Sequence, residues 1–590
     1  MVPWHIGNTS VRTPYRLIDA LQVLKNSEFH GNLVGKDREE GFANLLYQRG
    51  VVTAERISRG DGSDVSDLGR KWRSALAQLG FVVPHITQRL KIGGDPKIEP
   101  FITGFPGLTG RPYEITPNGQ NLIDADSAAA QQECFLRSLV VYRIPSIFEP
   151  RYKFPPFSPL LFVLRILLLI EKRRGDPVIR FEEMALIVQR RTPGIGLDNL
   201  DNVVSEILSY REDRDKSQNK KKFDGNRFLE AGDGILKKAR TLKDYADLNF
   251  RYLKATGLFQ SRGRAIALIP EKKTLIELLV SEKDEIFDKD STYVKALWSG
   301  ARLPTDDKIN TINITRSLLS QLKEHDLGYA IPDLNERSLP ELSQIRHRLE
   351  ERLHGYKELA FAERQAGQWQ EIAGIMKAFK DSKREIISDE GQKQKIPAGE
   401  APAYFEWIIW RAFLAINSLE NNPQEARKFK IDQDFLPLSH APGGGPDMVF
   451  EFEEFVLVVE VTLTSSSRQE AAEGEPVRRH VAEIAEQFEK HDKDVYCLFI
   501  ALTIDSNTAE TFKIGTWYKK DDSKLPLQIV PFTLEDFILL FEAGFESGKR
   551  TINPMKIRHL LTECRALSNR DAPEWKKIIS SQIKKFIAKL

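Results

Sequence analysis

Asp447 and Glu460 are the two side chains whose types and spacing speak most directly of chemistry. The residues between them read as two strands joined by a turn at Glu453-Glu454. Antiparallel pairing about that turn sets Phe452 against Phe455, Phe450 against Leu457, Met448 against Val459, and Asp447 against Glu460. Both acids then lie on one face of an otherwise apolar sheet. Like charges opposite each other in a half-buried sheet repel, which raises a carboxyl pKa unless a cation compensates. A hard, oxygen-ligated ion such as Mg²⁺ is suited to that role.

A buried hairpin with an acidic entry and a strand-end Glu has the same spacing, so the flanks matter. Upstream, residues 404–414 read as an apolar helix carrying a single acid, Glu406. Downstream, Glu473, Glu475, Arg478, Arg479 and His480 cluster ahead of a helical pattern, and residues 494–502 read as another buried strand. Helix, hairpin, helix and strand in that order make an α/β core.

Pro446-Asp447, twelve residues, then Glu460-Val461-Thr462 resembles the metal-binding core of the PD-(D/E)xK nucleases, with Thr462 where that family usually has Lys. A broader likeness runs through Phe405-Glu406-Trp407, Ser439-His440-Ala441, Pro446-Asp447-Met448, Glu475-Pro476-Val477, Arg479-His480 and Tyr496-Cys497-Leu498. It continues into the amino-terminal half at residues 159–168 and 251–259. Together these segments resemble the AlwI-like type IIS restriction endonucleases, a family that includes site-specific nicking enzymes.

The resemblance implies Glu406, Asp447, Glu460, Glu473 and His480 as catalytic residues. It implies metal ligation by Asp447, Glu460, Glu406 and Glu473, with the Val461 carbonyl as a further oxygen; Glu475 competes with Glu473 for the downstream acid. The nucleophile-orienting role has no evident owner, His480 and Arg478 being the candidates. The implied activity is Mg²⁺-dependent hydrolysis of a DNA phosphodiester at a set distance from a short asymmetric double-stranded site. A bound metal would lower the pKa of a water toward neutrality. One site per chain implies one strand cut at a time, so paired breaks need a second subunit, either a transient homodimer partner or a smaller catalytic subunit. Alternatives are a strand-specific nicking enzyme, the large subunit of a heterodimeric enzyme, a repair or transposition nuclease of the same core fold, and a DNA-binding regulator with a decayed nuclease-like domain.

The elements that must position these residues follow from composition and pattern. With 590 residues, 41% hydrophobic and 29% charged, the chain has the make-up of a folded protein of several domains. Its net charge of +2 conceals an asymmetry: 43 Lys and Arg against 33 Asp and Glu in residues 1–280, and 43 against 51 in the rest. The basic half is where phosphate contacts belong. Three scattered cysteines, Cys134, Cys497 and Cys564, lack metal-ligand spacing and suit a reduced cytoplasm. No signal peptide is expected, and residues 159–170, interrupted by Arg165, are too short to span a bilayer. They read as a core helix.

Lys71–Gly80 with Tyr113–Gly119, and Leu248–Gly257 with the segment to Pro270, each read as a helix stopped by glycine and then a β-ribbon ending in a turn. Such winged-helix-like units make Arg70, Lys71, Arg73, Arg262 and Arg264 candidate DNA contacts. Arg190-Arg191 and Lys220–Lys222 are further phosphate candidates, although 211–227 reads as a solvated loop. Residues 285–395 turn to long amphipathic helical patterns, with a stripe at Leu342, Ile345, Leu349 and Leu353. Gly391, Pro397 and Gly399 mark the entrance to the last domain. Residues 532–541 and 578–587 read as helices. The expected fold is therefore multidomain, α/β and α: a winged-helix-like DNA-recognition region at 1–285, a helical linker at 286–395 and a PD-(D/E)xK-like cleavage domain at 396–590.

Overall fold

The computed structural model describes residues 2–52, 65–85, 99–194, 199–281, 285–328, 333–383, 385–387, 393–396, 398–442, 444–465, 468–491, 493–546 and 551–590. The turn markers Gly391 and Pro397 lie outside them. The chain forms two compact units, Met1–Arg352 and Leu353–Leu590, and is helix-rich with small sheets. The division falls within the stretch read as a connector.

In the first unit the elements that matter here are α1 (Val65–Gln78), α2 (Pro117–Asp124), α3 (Pro159–Arg174), β1 (Val178–Arg180), α4 (Phe181–Leu186), α5 (Leu200–Lys216), α6 (Lys220–Ala231), α7 (Leu236–Lys254), β2 (Phe259–Arg262) and β3 (Ala265–Leu268). α3 is the expected core helix: Ser158 caps its start, Gly175 ends it at φ 76°, and nine of its residues are buried. Lys172, Arg173 and Arg174 fill its last turn, where cations complement the helix dipole. Among the described residues no helix is long and apolar enough to cross a membrane.

α7 gives way at Gly257 (φ 69°) to the β2–β3 ribbon, as its sequence suggests, and β1 adds to the ribbon to give the order β1-β3-β2, all antiparallel. The earlier repeat differs. α1 does end before Gly80 at φ 78°, but the ribbon is reduced to one bridge, Val82 to Ile115. Pro117-Asn-Gly119 opens α2 instead of a turn, because the Thr116 hydroxyl accepts from Gly119 N at 3.1 Å and Pro117 suits a first helical position. A second correction concerns 211–227, which is helical except for the link at 217–219. Asp224 of α6 is buried, accepting from Tyr210 at 2.6 Å and from Arg214 at 2.9 Å, so α5 and α6 are pinned together across a short link.

The second unit contains residues 353–364 of helix α8 (Leu339–Arg364), then α9 (Trp369–Lys380), α10 (Ala401–Ile416), β4 (Met448–Glu451), β5 (Phe455–Thr462), α11 (Glu475–Phe488), β6 (Asp494–Ala501), α12 (Ser506–Ile514), β7 (Gln528–Thr533), α13 (Leu534–Ala543), α14 (Pro554–Ala566) and α15 (Ala572–Ile587). Its main sheet has the order β7-β6-β5-β4, with β4–β5 antiparallel and the other two pairings parallel. The hairpin register is the one its sequence dictates: Met448 faces Val459, Phe450 faces Leu457, and Phe452 N donates to Phe455 O. β5 and β6 are buried almost throughout, as inner strands covered on both faces must be. α10 supplies much of that cover, Phe413 stacking on Phe450 at 4.7 Å. The tail departs from expectation at its start. Phe532 and Thr533 close β7, and the Thr533 hydroxyl, accepting from Asp536 N at 3.1 Å, begins α13.

Behind the β4 entrance, Arg427 makes a two-pronged pair with Glu358 at 2.7 and 3.0 Å and donates to Phe429 O, both charged groups being almost fully buried. Arg427 also bridges Met448, and Lys428 N donates to Asp447 O at 3.2 Å. Removing one partner of such a pair strands a buried charge. Glu358→Ala is expected to cost about 3–5 kcal/mol, read as a lowered urea midpoint; a loss below ~1 kcal/mol would show the pair to be dispensable.

Candidate active site

Strand alternation alone would put Asp447 and Glu460 on one face, and the structure does so. The two carboxyls are hydrogen-bonded to each other, and Asp447 Oδ2 also accepts from Val461 N at 2.8 Å. Burial is the main force acting on both: it drives Asp447 well above the ordinary Asp range and lifts Glu460 to about 8, with mutual repulsion adding to the Asp447 shift.

Glu406 projects from α10, otherwise among the most buried helices of the unit, and accepts from Ala441 N at 2.7 Å. Its carboxyl is pushed up chiefly by burial and then by the charges of Asp447 and Glu460. Glu473 lies in a π-helical turn, Glu470–Gly474, that leads into α11. Burial raises its pKa, a Thr462 hydrogen bond opposes the rise, and its charge acts on Asp447 and Glu460. Glu475 instead faces outward and pairs with Arg479 at 3.3 Å. Of the two competing acids, Glu473 is therefore the one brought to the carboxyl cluster.

His480, one turn into α11, places Nδ1 2.8 Å from Glu460 Oε1, and its Nε2 is buried with no hydrogen-bond partner among the described residues. Burial lowers its pKa, with neighbouring Arg479 adding to the effect. A neutral ring donating from Nδ1 keeps a lone pair on Nε2. Arg478 is not part of this group: it donates to Thr516 O at 2.6 Å and lies over the Trp517 ring. Thr462 both accepts from Thr464 N and bonds Glu473, so it positions the downstream acid. Gln469, which nothing in the motif spacing pointed to, is fully buried and ties Thr464 O and Thr503 O at 2.7 and 2.9 Å while accepting from Asp505 N. It fixes the exit of β5 to the exit of β6.

The donor set is one that suits a hard divalent ion. Four carboxyls act on one another electrostatically, and the buried Nε2 marks a polar face beside them. No three His, Cys, Asp or Glu side chains among the described residues form a ready cage. Mg²⁺ does not require one, since it commonly takes one or two carboxylates with waters and substrate phosphate.

The candidate DNA contacts of the first unit are more dispersed. On α1, Arg70 is exposed and Lys71 half-buried, and the two share Asp67. Arg73 turns inward to Glu39, the Tyr113 hydroxyl and the Tyr113 ring. Arg262 at the ribbon pairs with Asp176, and Arg264 pairs with Glu182 at 3.2 Å over the Phe181 ring. Arg191 is engaged by Glu206.

A family model described as AlwI restriction endonuclease matches residues 77–540. No curated protein matches the chain. Among solved structures, the small subunit (R.BspD6I2) of the heterodimeric restriction endonuclease R.BspD6I is similar over 36% of this chain and 98% of its own, at 26% identity and a TM-score of 0.28. Restriction endonuclease FokI is similar over 95% of this chain and 99% of its own, at 12% identity and a TM-score of 0.23.

The raised carboxyls tie stability to pH. Glu460, at about 8 when folded against 4.5 otherwise, retains a proton that the unfolded chain releases. Its contribution is fully present below pH 4.5 and is lost as pH rises through about 8. Without divalent metal, the unfolding midpoint is expected to fall between pH 6 and 8.5, and Glu460→Gln should flatten that fall. Parallel wild-type and Glu460→Gln profiles would contradict the shift.

Proposed function

Since the chain belongs to the AlwI restriction endonuclease family, and so to the endodeoxyribonucleases acting on DNA, we propose that it is a type IIS enzyme. It would bind a short asymmetric duplex sequence and hydrolyse one strand per active site, outside the recognised bases. The observation that carries the site assignment is the convergence of Asp447, Glu460, Glu406 and Glu473 with His480. A PD-(D/E)xK-like reading of the Leu353–Leu590 unit is supported by the mixed sheet, whose acidic hairpin joins the edge strand β4 to the inner strand β5.

Mg²⁺ is the proposed cofactor, held by Asp447 and Glu460 with Glu406, Glu473 and the Val461 carbonyl as further candidate oxygens. When bound it would polarise the scissile phosphate and make a water more acidic. The protein's own contributions follow from its hydrogen bonds. Val461 N–H fixes Asp447, and Ala441 N–H fixes Glu406. Thr462 orients Glu473. Glu460 holds the His480 ring so that Nε2 can accept a proton from the attacking water or approach a phosphate. His480, rather than Arg478, is then the group for the nucleophile-orienting role.

Recognition is assigned to the amino-terminal unit. α3, β1, α4, α7 and the β2–β3 ribbon follow one another as the parts of a winged helix do, with α5 and α6 inserted before the third helix. Arg262 and Arg264 lie on or beside its wing. With one such acid cluster among the described residues, a double-strand break would need a second subunit, identical or smaller, whereas a lone chain would nick.

Incubating the protein with supercoiled plasmid and Mg²⁺, then mapping ends on each strand, tests this reading: fixed ends beyond a common sequence are expected, and a ladder without fixed ends would overturn it. Asp447→Ala and Glu460→Ala should each reduce cleavage at least ~10³-fold with specific binding retained. Glu473→Ala should be similarly impaired and Glu475→Ala nearly unaffected. Robust Mg²⁺-dependent cleavage by Asp447→Ala would refute the site.

A further inference from the structure

Leu236 and Ile235 are large aliphatic side chains left in solvent, 74% and 48% exposed, and they are adjacent at the beginning of α7. The chain reaches them through Gly232-Asp233-Gly234, with Asp233 at φ 54° and Gly234 at φ 74°, a tight link from α6 that lifts the pair onto a tip. Leu229, near the end of α6, is exposed beside them in sequence. The next residues are Lys237, Lys238 and Arg240, all exposed, Lys238 pairing with Asp233 at 2.7 Å. The inward side of the helix, Ala239, Leu242, Ala246, Asn249 and Leu253, is buried, so the tip is not an unfinished core. Contiguous exposed aliphatics with a basic border mark a surface that something covers.

We propose that this tip reads DNA bases, with Leu236 and Ile235 packing against the 5-methyl group of thymine in the major groove while Lys237, Lys238 and Arg240 lie along the flanking phosphates. The inference rests on the reading of α7 as the third helix of a winged-helix unit acting on duplex DNA, and it adds which residues discriminate. In such a unit the early residues of that helix reach base edges. Thymine offers the major groove its methyl group as an apolar feature, which matches an aliphatic tip better than hydrogen-bonding edges do. The three cations match the phosphate charge on either side. Two acids, Asp233 and Glu230, are also at the tip; Asp233 pairs with Lys238 and Glu230 with Arg227, so neither opposes the phosphates alone.

The experiment uses the full chain without divalent cation and the duplex defined by mapping its cleavage ends. Affinity is measured for that duplex and for versions in which each thymine in turn becomes uracil. Uracil at one or two positions is expected to weaken wild-type binding on the order of fourfold, the value of one buried methyl. Leu236→Ala should bind the thymine duplex more weakly by a similar factor and be indifferent to those uracils. Lys237→Ala should weaken all duplexes alike and make binding less sensitive to salt. Leu236 is exposed, so an unchanged urea midpoint would show that its truncation leaves the fold intact. Specific binding in which no thymine matters, or in which Leu236→Ala keeps the thymine preference, would overturn the tip assignment alone. Failure of the wild-type chain to bind any duplex specifically would overturn the recognition reading with it.

Discussion

The hydrogen bond between the carboxyls of Asp447 and Glu460 is the constraint around which the second unit is arranged. Two acids can approach each other inside a sheet only if a proton or a cation lies between their charges. Everything near them keeps that state organised. Val461 N–H takes one Asp447 oxygen, His480 takes one Glu460 oxygen, and the apolar strands around them exclude the water that would otherwise screen the charges. The same burial that makes the pair costly without a counter-charge makes it responsive to one.

The supports of this pair come from elements far apart in the chain. Glu406 arrives on α10, held by Ala441 N–H, and Glu473 arrives from the other side, held by Thr462. Gln469 joins the ends of β5 and β6, so the strand that carries Glu460 and the turn that carries Glu473 keep a fixed relation. Behind β4, the buried Glu358–Arg427 pair anchors the backbone that enters Asp447. A charged group on each side of the sheet is thus satisfied by a specific partner, leaving the carboxyl cluster as the place where charge is crowded.

Much of this was legible in the sequence where the physics is local. The register of β4 and β5 followed from a two-residue turn and period-two alternation, which is enough to oppose Asp447 and Glu460. Gly80 and Gly257 announced helix ends because few other residues tolerate positive φ. What failed depended on distant partners. Residues 211–227 look like a loop by polarity, yet most of them belong to α5 and α6, which the buried Asp224 ties together through Tyr210 and Arg214. Arg73 looked like a phosphate ligand, yet Glu39 and Tyr113, far away in sequence, claim it. β7 was missed because its end, Phe532-Thr533, was read as the start of the following helix, and the sheet admits Pro531 at an edge. Glu406, Glu473 and His480 were reached through family resemblance, since no spacing rule alone singles them out.

The downstream acid, Glu473, sits in the π-helical turn at Glu470–Gly474, just ahead of Glu475 at the start of α11. Such a turn carries one residue more than an α-helical turn, and each residue of an α-helix rotates a side chain by about 100°. Two acids separated by a single glycine, Glu473 and Glu475, consequently look in different directions, one toward the crowded carboxyls and one toward solvent. Helical phase at this point is therefore as much a part of the enzyme's chemistry as residue identity. A relative that lacked the extra residue would need its acid at a shifted place in the chain to reach the same point in space, so comparing such relatives by aligned letters alone would pair the wrong side chains.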